Sequence, residues 1–499
     1  MVIRKEKNTV QFGLFFFVVA LIQWIIALVF FDKLQSGGEI GFVKYVYELS
    51  FGITLFFGVW SWKKISGSWF NPYSIFFLFL ILFNAGQFLM WGFGIHYYTQ
   101  ATQELGRSPH IRLLSQVTLL KTMMITLPAV NFFHSAALLS SNKDDGKISS
   151  ILVSKTTDKD RINARRKALY NVGIVCLILA YSVVIYKTIG KFQTVQLTGY
   201  TSLYYGDNGN YNALIKYISY MFFPSFFAVF VGSNYSKKTF IRLSVLLAPY
   251  IIINILIGDR GAWLVTGIIW FWCYSEFILK AQTNQSQMRW KILKLAIWGI
   301  VLLFIVTLFA KFREVGISNI TNGDVTELIN NMGYVFIKPI FEMGQSARVT
   351  AIIIEDNINK AMVGGNTYIA GILSMVLPRI KLLFGFPDGY LDNWFSQTYL
   401  GLHNYGAGFT MVGEAYLNGG IWFFPFYMLL LGFVIGKIAN IKLDYSNVEE
   451  HDPFRVFMML ASTPIFVTIC RESVELSLRK WFYGVVVILM FAALLKKAK

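Results

Sequence analysis

The chain has 499 residues, 55% hydrophobic and 14% charged, with a formal net charge of +18 and a mean hydropathy of +0.53. A soluble globular chain is about a quarter charged, so most of this one is solvated by lipid. The cations stand in short clusters between apolar runs, not on a basic surface interleaved with exposed aromatics; this excludes a nucleic-acid partner and makes the charge a signal of membrane orientation.

A membrane span needs roughly 20 apolar residues at about 1.5 Å rise each. That rule predicts an all-α polytopic membrane protein of twelve helices, near 11–31, 43–62, 73–94, 116–139, 168–187, 213–233, 243–258, 261–279, 295–311, 415–436, 454–470 and 481–495. The start, MVIRKEKNTV, leads into an apolar stretch too long for a signal peptide and without a small-x-small cleavage site, so it reads as a retained first helix. With Arg4, Lys5 and Lys7 inside, alternation puts in the cytoplasm Lys63 and Lys64, the basic loop 140–167, Lys237, Lys238 and Arg242, then Lys280, Arg289, Lys291 and Lys294, then Lys437 and Lys442, and finally Lys496, Lys497 and Lys499. Every cluster fits one register, which places both termini in the cytoplasm. The chain reads as a single membrane-embedded domain, 1–499, without a phosphate-binding G-x-x-x-x-G-K-[ST] loop.

The large extracytoplasmic loop is expected at 312–414, between the ninth and tenth helices. Within it, 324–343 and 368–386 mix apolar and polar residues as helices lying on a membrane surface do. Cys176, Cys273 and Cys470 fall inside or at the end of apolar runs and imply neither a disulfide framework nor a metal site.

By this topology eight of the fifteen arginines face outward: Arg107, Arg112, Arg260, Arg313, Arg348, Arg379, Arg471 and Arg479. Lysine is biased the other way, as orientation signals require. A guanidinium matches phosphate or carboxylate with a fork of donors where lysine offers a point charge, so the outward arginines point to an anionic, phosphate-bearing lipid substrate. Some of them also suit headgroups reached by snorkelling. In ILIGDRGAWL, Asp259 and Arg260 lie between Gly258 and Gly261 at the hinge of a helical hairpin. In CRESVELSLRKW, Arg471 and Glu475 share a face at i,i+4 if the helix continues. His403 and Glu414, in LHNYGAGFTMVGEAYLNGG, flank a glycine-rich entry into a helix and are candidate bases toward a sugar hydroxyl. There is no H-E-x-x-H, other metal-ligand spacing or nucleophile elbow, so metal-independent chemistry is expected, with no cofactor.

Three stretches together resemble the Wzy-type family of oligosaccharide repeat-unit polymerases: LIGDRGAWL (256–264), GGNTYIAGILSMVLPRI (364–380) and GAGFTMVGEAYLNGGIWFFPFYMLLLGFVIG (406–436). An Arg-x10-Gly pattern of some members is absent, because Tyr390 stands where the glycine would follow Arg379. The resemblance implies a glycosyltransferase in a bacterial cytoplasmic membrane that moves a growing glycan from undecaprenyl pyrophosphate onto a lipid-linked repeat unit. It implies Arg260, Arg313, Arg348 and Arg471 as pyrophosphate contacts, Glu414 or His403 as base, and Tyr200, Tyr204 and Tyr205 as sugar platforms. Its partners would be the lipid-linked oligosaccharide, membrane lipid, and the chain-length regulator and flippase of the same pathway. The rival readings are an O-antigen ligase using the same donor, a lipid-linked oligosaccharide flippase or transporter, and a polyprenyl-phosphate glycosyltransferase for which Asp32 and Glu39 are a loose match. A transporter expects ionisable groups at the midplane, whereas here they collect at helix ends.

Overall fold

The structure is a computed structural model that describes residues 2–34, 40–97, 105, 113–141, 155–198, 212–259, 261, 263–279, 334–402, 407–439 and 451–497. Among these residues the regular elements are all helical. The first nine are α1 (Val2–Phe30), α2 (Ile40–Ser66), α3 (Pro72–Gly92), α4 (Gln116–Ser140), α5 (Lys155–Thr198), α6 (Ala213–Tyr220), α7 (Phe222–Gly232), α8 (Lys237–Ile257) and α9 (Leu264–Cys273), the last running into a π-helical turn at Tyr274–Leu279. There follow α10 (Tyr334–Gly344), α11 (Ala347–Glu355), α12 (Thr367–Ser374), α13 (Ile380–Leu383), and α14 (Leu391–Asn393) with a π-helical turn at Trp394–Tyr399. The chain ends with α15 (Met411–Ala439), α16 (Pro453–Ile469), α17 (Val474–Trp481), a π-helical turn at Phe482–Val486, and α18 (Val487–Lys497).

Nine spans among the described residues are long and apolar enough to cross a membrane, and two shorter apolar helices cover Leu264–Leu279 and Pro453–Ile469. These eleven coincide with eleven of the predicted helices; the twelfth, near 295–311, lies outside the described residues. Buried α4 is the hub. It packs on α1 and α15, with Gly432 against Phe133 and Gly436 against Ala137, so α4 and α15 run parallel. In α15 the helix breaks at Gly420, whose φ of 55° and ψ of −164° leave the helical region. Trp24 Nε1 donates to the Ile421 carbonyl at 2.8 Å, satisfying a backbone group that lipid could not.

The contacts fix which helix ends meet. Phe409, just before α15, donates its N–H to the Arg471 carbonyl just after α16. At the other end of the bundle Arg165 of α5 pairs with Asp452 at the start of α16, and Lys496 of α18 is within electrostatic range of both. Ser135 Oγ, near the end of α4, donates to the Gly13 carbonyl near the start of α1. The start of α1 and the end of α18 therefore share one end of the bundle, with Lys63, Lys64, Lys437 and the basic start of α5. His134 is a buried packing residue there, with Ser61 Oγ and Tyr73 Oη each 2.8 Å from a ring nitrogen.

The region between α9 and α15 is built into the opposite end. Residues 347–354 of α11 are all buried, against α4 and α15. The stretch expected on the membrane surface at 368–386 does expose apolar side chains, including Ile372, Leu377, Leu383 and Phe384. α10 is held on α3 by Gln87, whose Nε2 donates to the Phe341 carbonyl at 2.7 Å. There the backbones nearly touch: a Cβ on Gly344 would lie 2.5 Å from the Gln87 nitrogen. Gly344→Val should push α10 off α3 at about 1–3 kcal/mol, the usual cost of overpacking, and displace α11. A lowered melting temperature of the detergent-solubilised protein, with shorter polymer in cells, is the expected result.

Candidate functional site

The end of α10, the start of α11, the approach to α15 and the end of α16 meet around an open cleft. Glu342 and Gln345 from the α10–α11 corner, Arg348 of α11, Phe395, Leu400 and Ala407 from the approach to α15, and Arg471 after α16 line it. Arg348 is 4% exposed and Arg471 is exposed, so one guanidinium forms the wall and the other the mouth. Arg348 lies in the first turn of α11, which Thr350 fastens to Thr410, Oγ1 to Oγ1 at 2.8 Å. Arg471 sits where the helix stops: its carbonyl accepts from Phe409 N–H at 2.8 Å and its guanidinium lies 6.0 Å from the Phe83 ring.

The corner after Arg471 is fixed by Asp392. Its carboxylate accepts the Ser473 N–H at 3.1 and 3.2 Å and the Ser473 hydroxyl at 2.6 Å. Burial raises the Asp392 carboxyl to about 6; the Ser473 hydroxyl and backbone amides oppose the rise and Glu472 adds to it. Because the folded value stands above the unfolded one, ionised Asp392 lowers stability fully above pH 6, and this penalty fades as pH falls from about 6 toward the ordinary carboxylate value near 4. Function runs the other way, since the ionised form is the acceptor for Ser473. Polymerisation by membranes is expected to lose activity as pH falls through about 6. Asp392→Asn should flatten that acid limb and lower the rate at pH 7.5 about tenfold, the equivalent of one lost charge-assisted hydrogen bond.

Glu414 lies deeper, at 0% exposure. Thr367 Oγ1 donates to its Oε1 at 2.6 Å and Val474 N–H to its Oε2 at 2.8 Å. Asn418, one turn on, donates to Thr367 Oγ1 at 2.7 Å and accepts the Thr367 N–H at 2.8 Å. A single carboxylate thus joins α12, α15 and α17, each of its oxygens accepting one hydrogen bond.

Beside it, Lys381 Nζ reaches Glu475 Oε1 and Oε2 at 2.8 and 3.0 Å, and Arg479 reaches Oε1 at 2.9 Å. Ser374 Oγ donates to the same carboxylate at 3.0 Å. The expected i,i+4 face of Arg471 and Glu475 does not form, because the chain leaves helical geometry between Ile469 and Val474. Glu475 takes Arg479, its own i+4 neighbour, and Arg471 is released to the cleft. Tyr390, at the place where the family pattern carries glycine, accepts from Arg479 at 2.7 Å through its hydroxyl.

Of the residues singled out in the sequence, Arg348 and Arg471 come together in the cleft and Glu414 lies buried nearby. Arg260, Arg313, His403, Tyr200, Tyr204 and Tyr205 lie outside the described residues. His403 stands in the chain between Leu400 and Ala407, both of which line the cleft. Thr367, Lys381 and Ser473 fell inside stretches already marked, 364–380, 368–386 and CRESVELSLRKW, but none was given a role, and Asp392 was not singled out.

Two guanidinium groups converging with a carboxylate, at one end of a bundle of apolar spans, define a multi-pass membrane protein with a cleft suited to an anionic substrate. Residues 12–499 match the family model of O-antigen polysaccharide polymerase Wzy, and the chain belongs to that family. Its role is accordingly that of a polysaccharide polymerase acting on lipid-linked oligosaccharide. No curated protein and no solved structure matches the chain significantly.

Proposed function

We propose that the cleft holds the pyrophosphate of an undecaprenyl-pyrophosphate-linked glycan while that glycan is transferred to a second lipid-linked repeat unit. The observation that carries this reading is the meeting of Arg348 and Arg471, 123 positions apart in the chain, on the walls of one cleft with Glu342. A hydroxyl of the acceptor sugar attacks the anomeric carbon of the donor. The new C–O bond forms as the bond to the pyrophosphate oxygen breaks, and the electron pair leaves with the diphosphate. Guanidinium donors already in place stabilise the charge that develops there. Glu342, half-buried in the cleft, takes the hydroxyl proton; His403, a base that the family resemblance implies, is the alternative acceptor. Glu414 acts as a positioning residue that holds α12, α15 and α17 in register behind the cleft. No metal or cofactor is assigned to the reaction.

The basic clusters at the shared end of the first and last helices support cytoplasmic termini, which puts the cleft on the outer face of the membrane. The test is the length distribution of lipid-linked and surface glycan in a deletion strain complemented with wild type or with Glu342→Gln. Single repeats in the deletion, restored to long chains by wild type but not by Glu342→Gln at equal protein level, are the expected outcome. Long chains from Glu342→Gln would move the base to His403. Loss of all outward-facing lipid-linked sugar in the deletion would instead identify a flippase.

A further inference from the structure

A second cationic cluster lies at the same end of the bundle, outside the cleft. Lys187 and Lys191 lie in the C-terminal part of the long helix α5, which runs to Thr198, and Lys216 lies in α6, at the start of the next span. Lys187 is within electrostatic range of both other lysines. Lys191 meets Asp259 at the limiting distance of 4.0 Å; Lys216 pairs with no carboxylate among the described residues and lies 5.0 Å from the centre of the Tyr390 ring. Gathering like charges at half-buried depth is unfavourable unless an anion joins them. Beside the lysines Tyr217 stacks on Tyr483, centroids 4.1 Å apart and planes 2° from parallel. Exposed Tyr186, Ile189 and Leu214 put apolar surface next to the charges, so the cluster combines a lipid-facing wall, an anion-receptive centre and an aromatic face.

The transfer reaction supplies a reason for two such sites. The acceptor offers a hydroxyl at the far end of its repeat unit, a whole oligosaccharide away from its own diphosphate. When that hydroxyl is in the cleft, the acceptor's diphosphate has to be elsewhere in the same membrane face. It is not a leaving group, so it needs holding rather than the aligned fork of donors that serves a breaking bond, and lysine point charges suffice. We propose that Lys187, Lys191 and Lys216, with the Tyr217–Tyr483 pair, bind the diphosphate of the acceptor glycolipid. This rests on the transfer reading above. The two sites are also joined: Tyr390, beside Lys216, precedes by two residues the Asp392 that holds Ser473 and so the Arg471 corner.

The test uses the full chain in phosphatidylcholine nanodiscs and farnesyl diphosphate as probe, with stoichiometry read by native mass spectrometry. Wild type is expected to take up two molecules, Lys191→Gln/Lys216→Gln one, and Arg348→Ala one, with Lys191→Arg/Lys216→Arg returning to two. Two molecules on the Gln variant, or one on wild type that Arg348→Ala removes, would overturn the second site and leave the cleft reading standing. Loss of a molecule in the Gln variant but none in Arg348→Ala would do the reverse. If phosphatidylglycerol nanodiscs abolish the second molecule in wild type, the cluster binds headgroups in general and the acceptor assignment fails. Unchanged melting temperatures separate these outcomes from unfolding.

Discussion

Arg348→Ala is expected to reduce polymer to single and very short repeats at unchanged protein level, with a loss of about 10²–10³ in rate, the range for removal of one preorganised donor at a developing oxyanion. Arg348 is nearly sealed, so its charge acts on the cleft with little screening by water. Arg348→Lys keeps the charge but loses the fork that meets two phosphate oxygens at once, and should recover only a small part of the activity. Arg471→Ala should cost less, because that side chain is exposed and its field is partly screened. If both contact one diphosphate, the double variant will fall short of the product of the two single losses. In vitro assay of chain length against time, with purified lipid-linked repeat as both donor and acceptor, gives the rates. Full-length polymer from Arg348→Ala would remove the pyrophosphate clamp.

The membrane-spanning elements were legible because each signal is local: an apolar run sets a span, and basic residues at its end set its direction. The bundle follows that scheme, down to the shared end of α1 and α18. The weight given to the arginines rests on a related argument, since a cation away from the basic end has to be explained by something other than orientation. Less could be read where tertiary contact decides. Arg471 and Glu475 have ideal spacing for a pair, but the helix stops between them, where Ser473 is held by Asp392, 81 residues earlier in the chain. Glu414 has the type and place of a base, but its hydrogen bonds to partners on α12 and α17 could not be read from the sequence. No periodicity records such distant bonds. Lys381 was missed for the same reason: among lysines it looks like an outlying surface charge, and only the fold shows it buried on Glu475.

That buried group carries the second large effect. Glu475→Gln should destabilise the protein by about 3–5 kcal/mol, the usual result of removing one member of a buried ion pair. The reason is what remains. Lys381 at 3% and Arg479 at 6% exposure would face each other with their shared counter-charge gone. Lys381→Met should cost less, because Glu475 keeps Arg479 and the Ser374 hydroxyl. In the double variant Lys381→Met/Glu475→Gln the worst of the repulsion is absent, so its melting temperature should lie above that of Glu475→Gln alone. Melting of the detergent-solubilised variants measures all three. Equal melting of the Glu475→Gln single and the double variant would mean that Lys381 contributes nothing to the penalty. The ordering bears on function as well, since α13 and α17 are joined through this carboxylate, and α17 begins three residues after Arg471. Polymer length should therefore follow the same order as stability, with Arg348 still in place in every variant.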